Sequence, residues 1–358
     1  MFVTTCGEKV AIAERIGQEL GFLSPSPPAL RIFDAGTGDG TVLASSLRHL
    51  HEIFPTVPFF VVGKEISRED ARMTLEKLSD RFAEHPEMVV AITNMHYREA
   101  PDLRPAGDDQ ENRLAWNDVA LEGETAYEFD EQLEGLDKVL EQGWKVHTSP
   151  NSGNPLYARP SVLVVYRRDH RFLLDEVIPA PAPCAREYDL IIAAQPFRAR
   201  QAAELKVRFV LEPLARRLAP GGRMITIQST GQDPGMEIIR KVWPGEDPFR
   251  TPGPLLAGVL RDRLCESRRG AEYDLDTDRQ ALFRYRLHTR ARDAGERFAM
   301  STLLAAWNAA VYVAQIDDRQ ISEAMSTGKY LDATRDVLKR HGGLWFTDEA
   351  FVVSRQDG

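Results

Sequence analysis

A chain of 358 residues with 43% hydrophobic and 28% charged side chains has the make-up of a soluble globular protein, long enough for one large domain or two smaller ones. Its formal net charge of −9 and pI near 5.5 exclude a global positive field that would attract a phosphate backbone, which disfavours nucleic acid as a partner. Cys6, Cys184 and Cys265 lie far apart, with no CxxC or Cys/His spacing, so a reducing compartment with free thiols is expected and no metal.

The opening MFVTTCGEKV has no basic region followed by an apolar one, and the most apolar stretch, 303–313, is too short to span a bilayer. A cytoplasmic protein with no membrane partner is therefore expected. Residues 7–20 carry an amphipathic helical pattern through Val10, Ile12, Ile16 and Leu20. The run 30–34 predicts a strand, and 41–54 a helix with Val42, Leu43, Leu47, Leu50 and Phe54 on one side. Continuous apolarity over 59–63 fits a strand buried on both faces of a parallel sheet. Ser67, with Asp70 three residues on, predicts a helix start, the helix reaching about 84; 88–92 reads as the third strand.

The alternation then breaks. Residues 96–185 hold an acidic stretch, a predicted helix over 126–142, the loop 147–155, and two predicted strands, 161–167 and 172–178, joined at Asp169–His170. PAPAP at 179–183 predicts an extended connector. Strands resume at 188–194 and 223–228, separated by a helix over 199–218. A short helix over 236–242, a strand over 281–289, helices over 301–316 and 330–341 and a closing strand over 344–355 complete the prediction.

Between the first strand and its helix, 30–40 read LRIFDAGTGDG. Asp34 closes the strand, and Gly36, Gly38 and Gly40 follow at alternate positions. Such a turn accepts positive φ and admits a ligand close to the backbone, beside the free N–H groups of a helix start. The spacing D-x-G-x-G-x-G differs from the G-x-G-x-x-G of the nicotinamide fold. Read with the strands after it, the stretch resembles the first motif of class I S-adenosylmethionine-dependent methyltransferases.

That resemblance implies S-adenosylmethionine as cofactor and S-adenosylhomocysteine as product. It places Asp34, Ala35, Gly36, Thr37, Gly38, Gly40 and Ile66 at the cofactor, and Glu65 at its ribose. Glu65 ends the second strand 25 residues beyond Gly40, near the offset of a ribose-binding acid. Asn94 stands where the family often has an aspartate facing adenine, with Met95 against the ring. Tyr188–Ile192 is similar to the fourth motif. Gln195–Pro196–Phe197 partly matches the (N/D/S)-P-P-(Y/F) signature of amino-group methylators, with Gln first and a single proline; Gln195 is expected at both cofactor and reacting atoms, Pro196 and Phe197 at the substrate. Leu218–Arg223 resembles the turn before the fifth strand, a helix stop reversing into the sheet.

Methyl transfer is an in-line displacement that needs a base only for a protonated nucleophile. His96 and Tyr97, which follow strand three, are the catalytic candidates, and His147 heads the insert loop as a further candidate base. Trp144, His147 and Trp243 are the candidates for lining the substrate pocket, whereas Trp307, in a helical apolar stripe, reads as core. The basic runs 167–171 and 284–290 read as solvated faces, since period-two alternation puts Arg284, Arg286 and His288 on one side.

The expected fold is α/β: a Rossmann-like, doubly wound, seven-stranded and mostly parallel sheet of the class I methyltransferase type, its last strand antiparallel. Residues 1–95 and 186–358 form the cofactor-binding core, and 96–185 an inserted α+β subdomain covering the strand ends. The expected reaction moves a methyl group to an O or N atom of a small molecule. An amino-directed nucleic-acid methylator and a non-catalytic S-adenosylmethionine-binding module are the alternatives, and a homodimer stays open.

Overall fold

The computed structural model describes residues 6–150, 155–182, 185–265, 272–277, 281–288 and 298–356. The first five residues of the N-terminal reading, residues 151–154 of the 147–155 loop, Pro183 of the connector, Cys184, and Thr289 and Arg290 of the second basic run lie outside the described residues.

Strands β1 (Leu30–Asp34), β2 (Phe59–Lys64) and β3 (Met88–Thr93) alternate with helices α1 (Glu8–Leu20) before β1, α2 (Thr41–Ile53) after it and α3 (Arg68–Glu76) after β2. Ser67 caps α3 by accepting from the Asp70 N–H, as its spacing predicts. The predicted helix to residue 84 is broken, a second segment running Ser79–Glu84. From 96 to 185 come β4 (Ala115–Leu121), helices Ala126–Glu134 and Asp137–Gly143, β5 (Val146–Thr148), β6 (Pro155–Tyr157) and β7 (Ser161–Arg167). The chain resumes its alternation with β8 (Tyr188–Ala194) and β9 (Leu218–Ser229), then β10 (Tyr273–Asp276), β11 (Leu282–Arg286) and β12 (Trp345–Arg355).

Among the described residues the main sheet has ten strands in the order β10-β12-β9-β8-β1-β2-β3-β7-β4, with β11 also on β12. The pairs β1–β2, β2–β3, β1–β8 and β8–β9 are parallel, and β12 runs antiparallel to β9. This is the α/β, mostly parallel architecture with an antiparallel last strand that the sequence implies. The strand count is larger than seven because β7 adds antiparallel to β3, β4 adds parallel to β7 and β10 adds antiparallel to β12. Residues 96–185 thus extend the sheet, and among the described residues only β5–β6 form a sheet of their own. The predicted strand over 172–178 is instead a short helix, Arg171–Leu174, and a turn that bury Leu174 and Val177 under the sheet.

Period-two alternation sorts the strand side chains to two faces. Leu30 and Ile32 pack with α1 and α2 on one face, and Phe33 with Val207, Leu211 and Leu256 on the other. Arg31 crosses to β8 and donates three hydrogen bonds to Asp189, two from its guanidinium at 2.9 and 3.1 Å and one from its backbone N–H at 2.7 Å. The strand order reverses between β1 and β8, so the crevice beyond the carboxyl end of β1 is a topological switch point, where ligands bind in open α/β sheets.

Candidate functional site

The turn after β1 is held by side chains that hydrogen-bond to it. Asp34 Oδ1 accepts from Gly36 N–H at 3.0 Å, and Asp39 accepts from Thr41 N–H and Oγ1. Thr74 on α3 donates to the Gly38 carbonyl and lies 3.1 Å from Thr37 Oγ1. Gly40 has φ of +78°, and a Cβ there would come within 2.6 Å of Thr74 Cα, so both conformation and space demand glycine. Gly36 and Gly38 differ in space, though Gly38 shares the positive φ at +52°: a Cβ on either would meet nothing within 4 Å. They border open space, a cradle that a ligand can approach.

Glu65, at the tip of β2, reaches into this turn. Its Oε2 accepts from Gly38 N–H at 2.9 Å, while Oε1 accepts from Ile66 and Ser67 N–H at 2.7 and 2.9 Å. A carboxylate has about four lone-pair sites. Three are taken, so Glu65 offers one acceptor site to a ribose as the turn stands, not the expected pair. Burial raises its pKa. Burial likewise pushes Asp34 up to about 7, with the Glu65 charge acting in the same direction.

Asn94 does not face this crevice. It is fully buried, its amide donating to the carbonyls of Gly143 and Arg159 and its Oδ1 accepting from Ser161 N–H. Every donor is spent on joining the end of β3 to the insert, which leaves none for adenine. Met95 is buried in the core beneath. Trp144, expected at the substrate, is also core: its indole N–H donates to the Glu65 carbonyl at 2.8 Å. Trp243 lies against Trp307 with ring centroids 5.6 Å apart, part of the C-terminal apolar cluster. His147 is exposed on β5.

His96 is exposed, with its ring 4.9 Å from that of Tyr157. Tyr97 is a tie across the strand ends, its hydroxyl donating to the Pro196 carbonyl at 2.6 Å. Burial raises its pKa, helped by the charges of Glu65 and Asp34, so the hydroxyl stays protonated and is no base at neutral pH.

Gln195 sits just past β8 with φ of +49°, a conformation uncommon for a residue other than glycine. Its amide donates to Glu8 Oε1 at 2.9 Å and also lies 3.4 Å from Ser229 Oγ and 3.5 Å from Asp348 Oδ2. Glu8 begins α1 and Asp348 lies in β12, both buried. Burial, then the charge of Glu8, pushes Asp348 up to about 8, and its Oδ1 has no hydrogen-bond partner. Sequence reasoning missed both acids, since a charge in an amphipathic helix or a strand reads as solvated. Asp348 carried one signal: it breaks the apolar run of a closing strand. With the amide of Gln195 turned to Glu8, the partial amino-methylator signature loses its hydrogen-bonding member as the turn stands.

Beyond Gln195 a cavity of about 420 Å³ opens, lined by Phe197 among others. The 167–171 run is not all solvated, as Arg167 is buried over the Phe129 ring; Arg284, Arg286 and His288 are exposed on one side of β11 and the residues after it, as alternation predicts. Among the described residues no cluster of three His, Cys, Asp or Glu could hold a metal ion, and no helix is long and apolar enough to cross a membrane.

No family model matches the chain, and no curated protein does. Solved structures similar to it include a candidate sarcosine dimethylglycine methyltransferase from Galdieria sulphuraria (9% identity, 98% of this chain and 86% of that one, TM-score 0.38). Geranyl diphosphate methyltransferase in complex with GPP and sinefungin is another (12%, 97% and 77%, TM-score 0.33). A third is the cyclopropane synthase MmaA2 from Mycobacterium tuberculosis (12%, 95% and 83%, TM-score 0.31). Likeness at this level carries no weight for activity, which rests on the geometry.

Proposed function

We propose that the chain is an S-adenosylmethionine-dependent methyltransferase acting on an O or N atom of a small molecule. The observation supporting it is the open face of Gly36 and Gly38 at the switch point, with the Glu65 carboxylate bonded to the same turn. Asp34 and residues 36–38 would hold the amino-acid half of the cofactor, and Glu65 would accept from a ribose hydroxyl through its remaining site. Bound there, the cofactor supplies an electrophilic methyl group on a sulfonium. The chain contributes orientation: the Tyr97–Pro196 tie and the Gln195–Glu8 bond fix the loop after β8 beside the crevice. Held geometry of this kind provides much of the rate of a displacement.

Calorimetry tests the reading directly. S-adenosylmethionine and S-adenosylhomocysteine should each bind the full chain with about one-to-one stoichiometry, and NAD⁺ should not. Heat from NAD⁺ alone, or from none of the three, would overturn it.

A further inference from the structure

Residues 203–215 form the crossover between β8 and β9, and Lys206 points from it into the wall of the 420 Å³ cavity that Gln195 and Phe197 also line. The helix Ala203–Lys206 ends at this lysine and a π turn, Val207–Leu211, follows; such turns recur at functional sites. Lys206 is 1% exposed. Its ammonium donates to Thr251 Oγ1 at 2.5 Å and lies 4.6 Å from the centre of the Phe197 ring. Among the described residues it has no ion pair.

The acid nearest in effect, Glu349, lines the same cavity, but its Oε1 is committed, accepting from Gln228 Nε2 at 2.9 Å and from Gly253 N–H at 2.7 Å. An ammonium taken out of water without a carboxylate in contact is costly. Burial pulls this amine down to about 8, against the opposing charge of Glu349, so at neutral pH it still carries its proton. Phe197 and Phe249 give the cavity an apolar side, and its volume falls in the range of roughly 300 to 1,000 Å³ typical of small-molecule sites.

We propose that this cavity seats the methyl acceptor and that the acceptor carries an anionic group, a carboxylate in the simplest case, paired with Lys206 while its apolar body rests on Phe197 and Phe249. The acceptor role rests on the methyltransferase reading; the anion pocket does not. Gln195, which lines the cavity, follows β8, the parallel neighbour of β1, so the cavity and the turn after β1 lie at the same carboxyl edge of the sheet.

Benzoate and benzamide, alike in shape and different in charge, are the probes, titrated by calorimetry into the full chain at pH 7. Benzoate should bind more tightly by about tenfold or more, the size of one charge-assisted hydrogen bond. Lys206→Met should bring benzoate down to the benzamide level. Equal affinity of the two probes in the wild type, no benzoate binding, or undiminished benzoate binding in the variant would overturn the proposal. Should the variant fail to fold, the ratio in the wild type decides alone. S-adenosylhomocysteine is titrated into the same preparation: its failure to bind sinks the methyltransferase reading, whereas an absent benzoate preference sinks the anion pocket.

Discussion

Replacing Glu65 by Gln separates the two jobs its carboxylate could hold. The glutamine carbonyl can still accept from Ile66 and Ser67 N–H. Its amide nitrogen, however, meets Gly38 N–H where a carboxylate oxygen sits 2.9 Å away, setting donor against donor. Losing a hydrogen bond to a charged acceptor costs about 1.5–3 kcal/mol. Part of this is offset, because the neutral amide escapes the burial that raises the carboxyl pKa. A net loss of about 1–2 kcal/mol in urea unfolding is expected. The Ala variant frees all three N–H groups, yet water can reach the half-buried Ile66 and Ser67, so its loss should be about 2–3 kcal/mol. In both variants S-adenosylhomocysteine affinity should fall by about tenfold or more, since the turn opens and the ribose acceptor is gone. The reasoning is refuted if Glu65→Gln keeps wild-type stability and wild-type affinity, as an ordinary surface acid would.

Further outcomes are expected elsewhere. Gly40→Ala should destabilise by about 2–4 kcal/mol in urea, because a positive φ is lost and a Cβ would press on the α3 backbone at 2.6 Å; a change under about 0.5 kcal/mol contradicts the turn geometry. Asn94→Asp should cost about 2–4 kcal/mol, as it strips the donor from two buried carbonyls and adds a charge. A ligand-facing residue would instead tolerate aspartate and lose binding, which thermal melts with and without S-adenosylhomocysteine distinguish. Asp348, with its pKa raised to about 8, holds a proton in the folded state over a range where the unfolded carboxylate, near 4, has released it. Its contribution to stability therefore falls as pH rises from about 4 to about 8, by up to about 1.4 kcal/mol per pH unit. The stability of Asp348→Asn relative to wild type should climb across that window, and a flat difference from pH 5 to 8 would show the carboxyl ionised throughout.

The parallel strands were legible because burial on both faces writes itself as unbroken apolar runs: Phe59–Gly63 and Met88–Ile92 need no partner to be recognised. The edge strand β4 was not, since Ala115–Leu121 buries only Leu121 and so shows no clean alternation. The run 172–178 misled for the opposite reason, its apolar residues serving a turn that packs under the sheet. In the site, the glycines were readable because a turn of that kind demands them locally. Asn94, Trp144, Glu8 and Lys206 were misread or missed, because what settles each role lies far along the chain: Ser161 for Asn94, Glu65 for Trp144, Gln195 for Glu8 and Thr251 for Lys206.

The addition of β7 and β4 beside β3 makes the excursion from 96 to 185 impossible to trim. β3 has every residue buried and β7 shields its outer flank. Excising the excursion would leave six buried residues, five of them apolar, as a bare border of unpaired amides and carbonyls, the kind of rim along which copies of a chain stick to one another. A shortened protein is therefore expected to aggregate, and redesign of this region belongs on its loops, with both strands left in place.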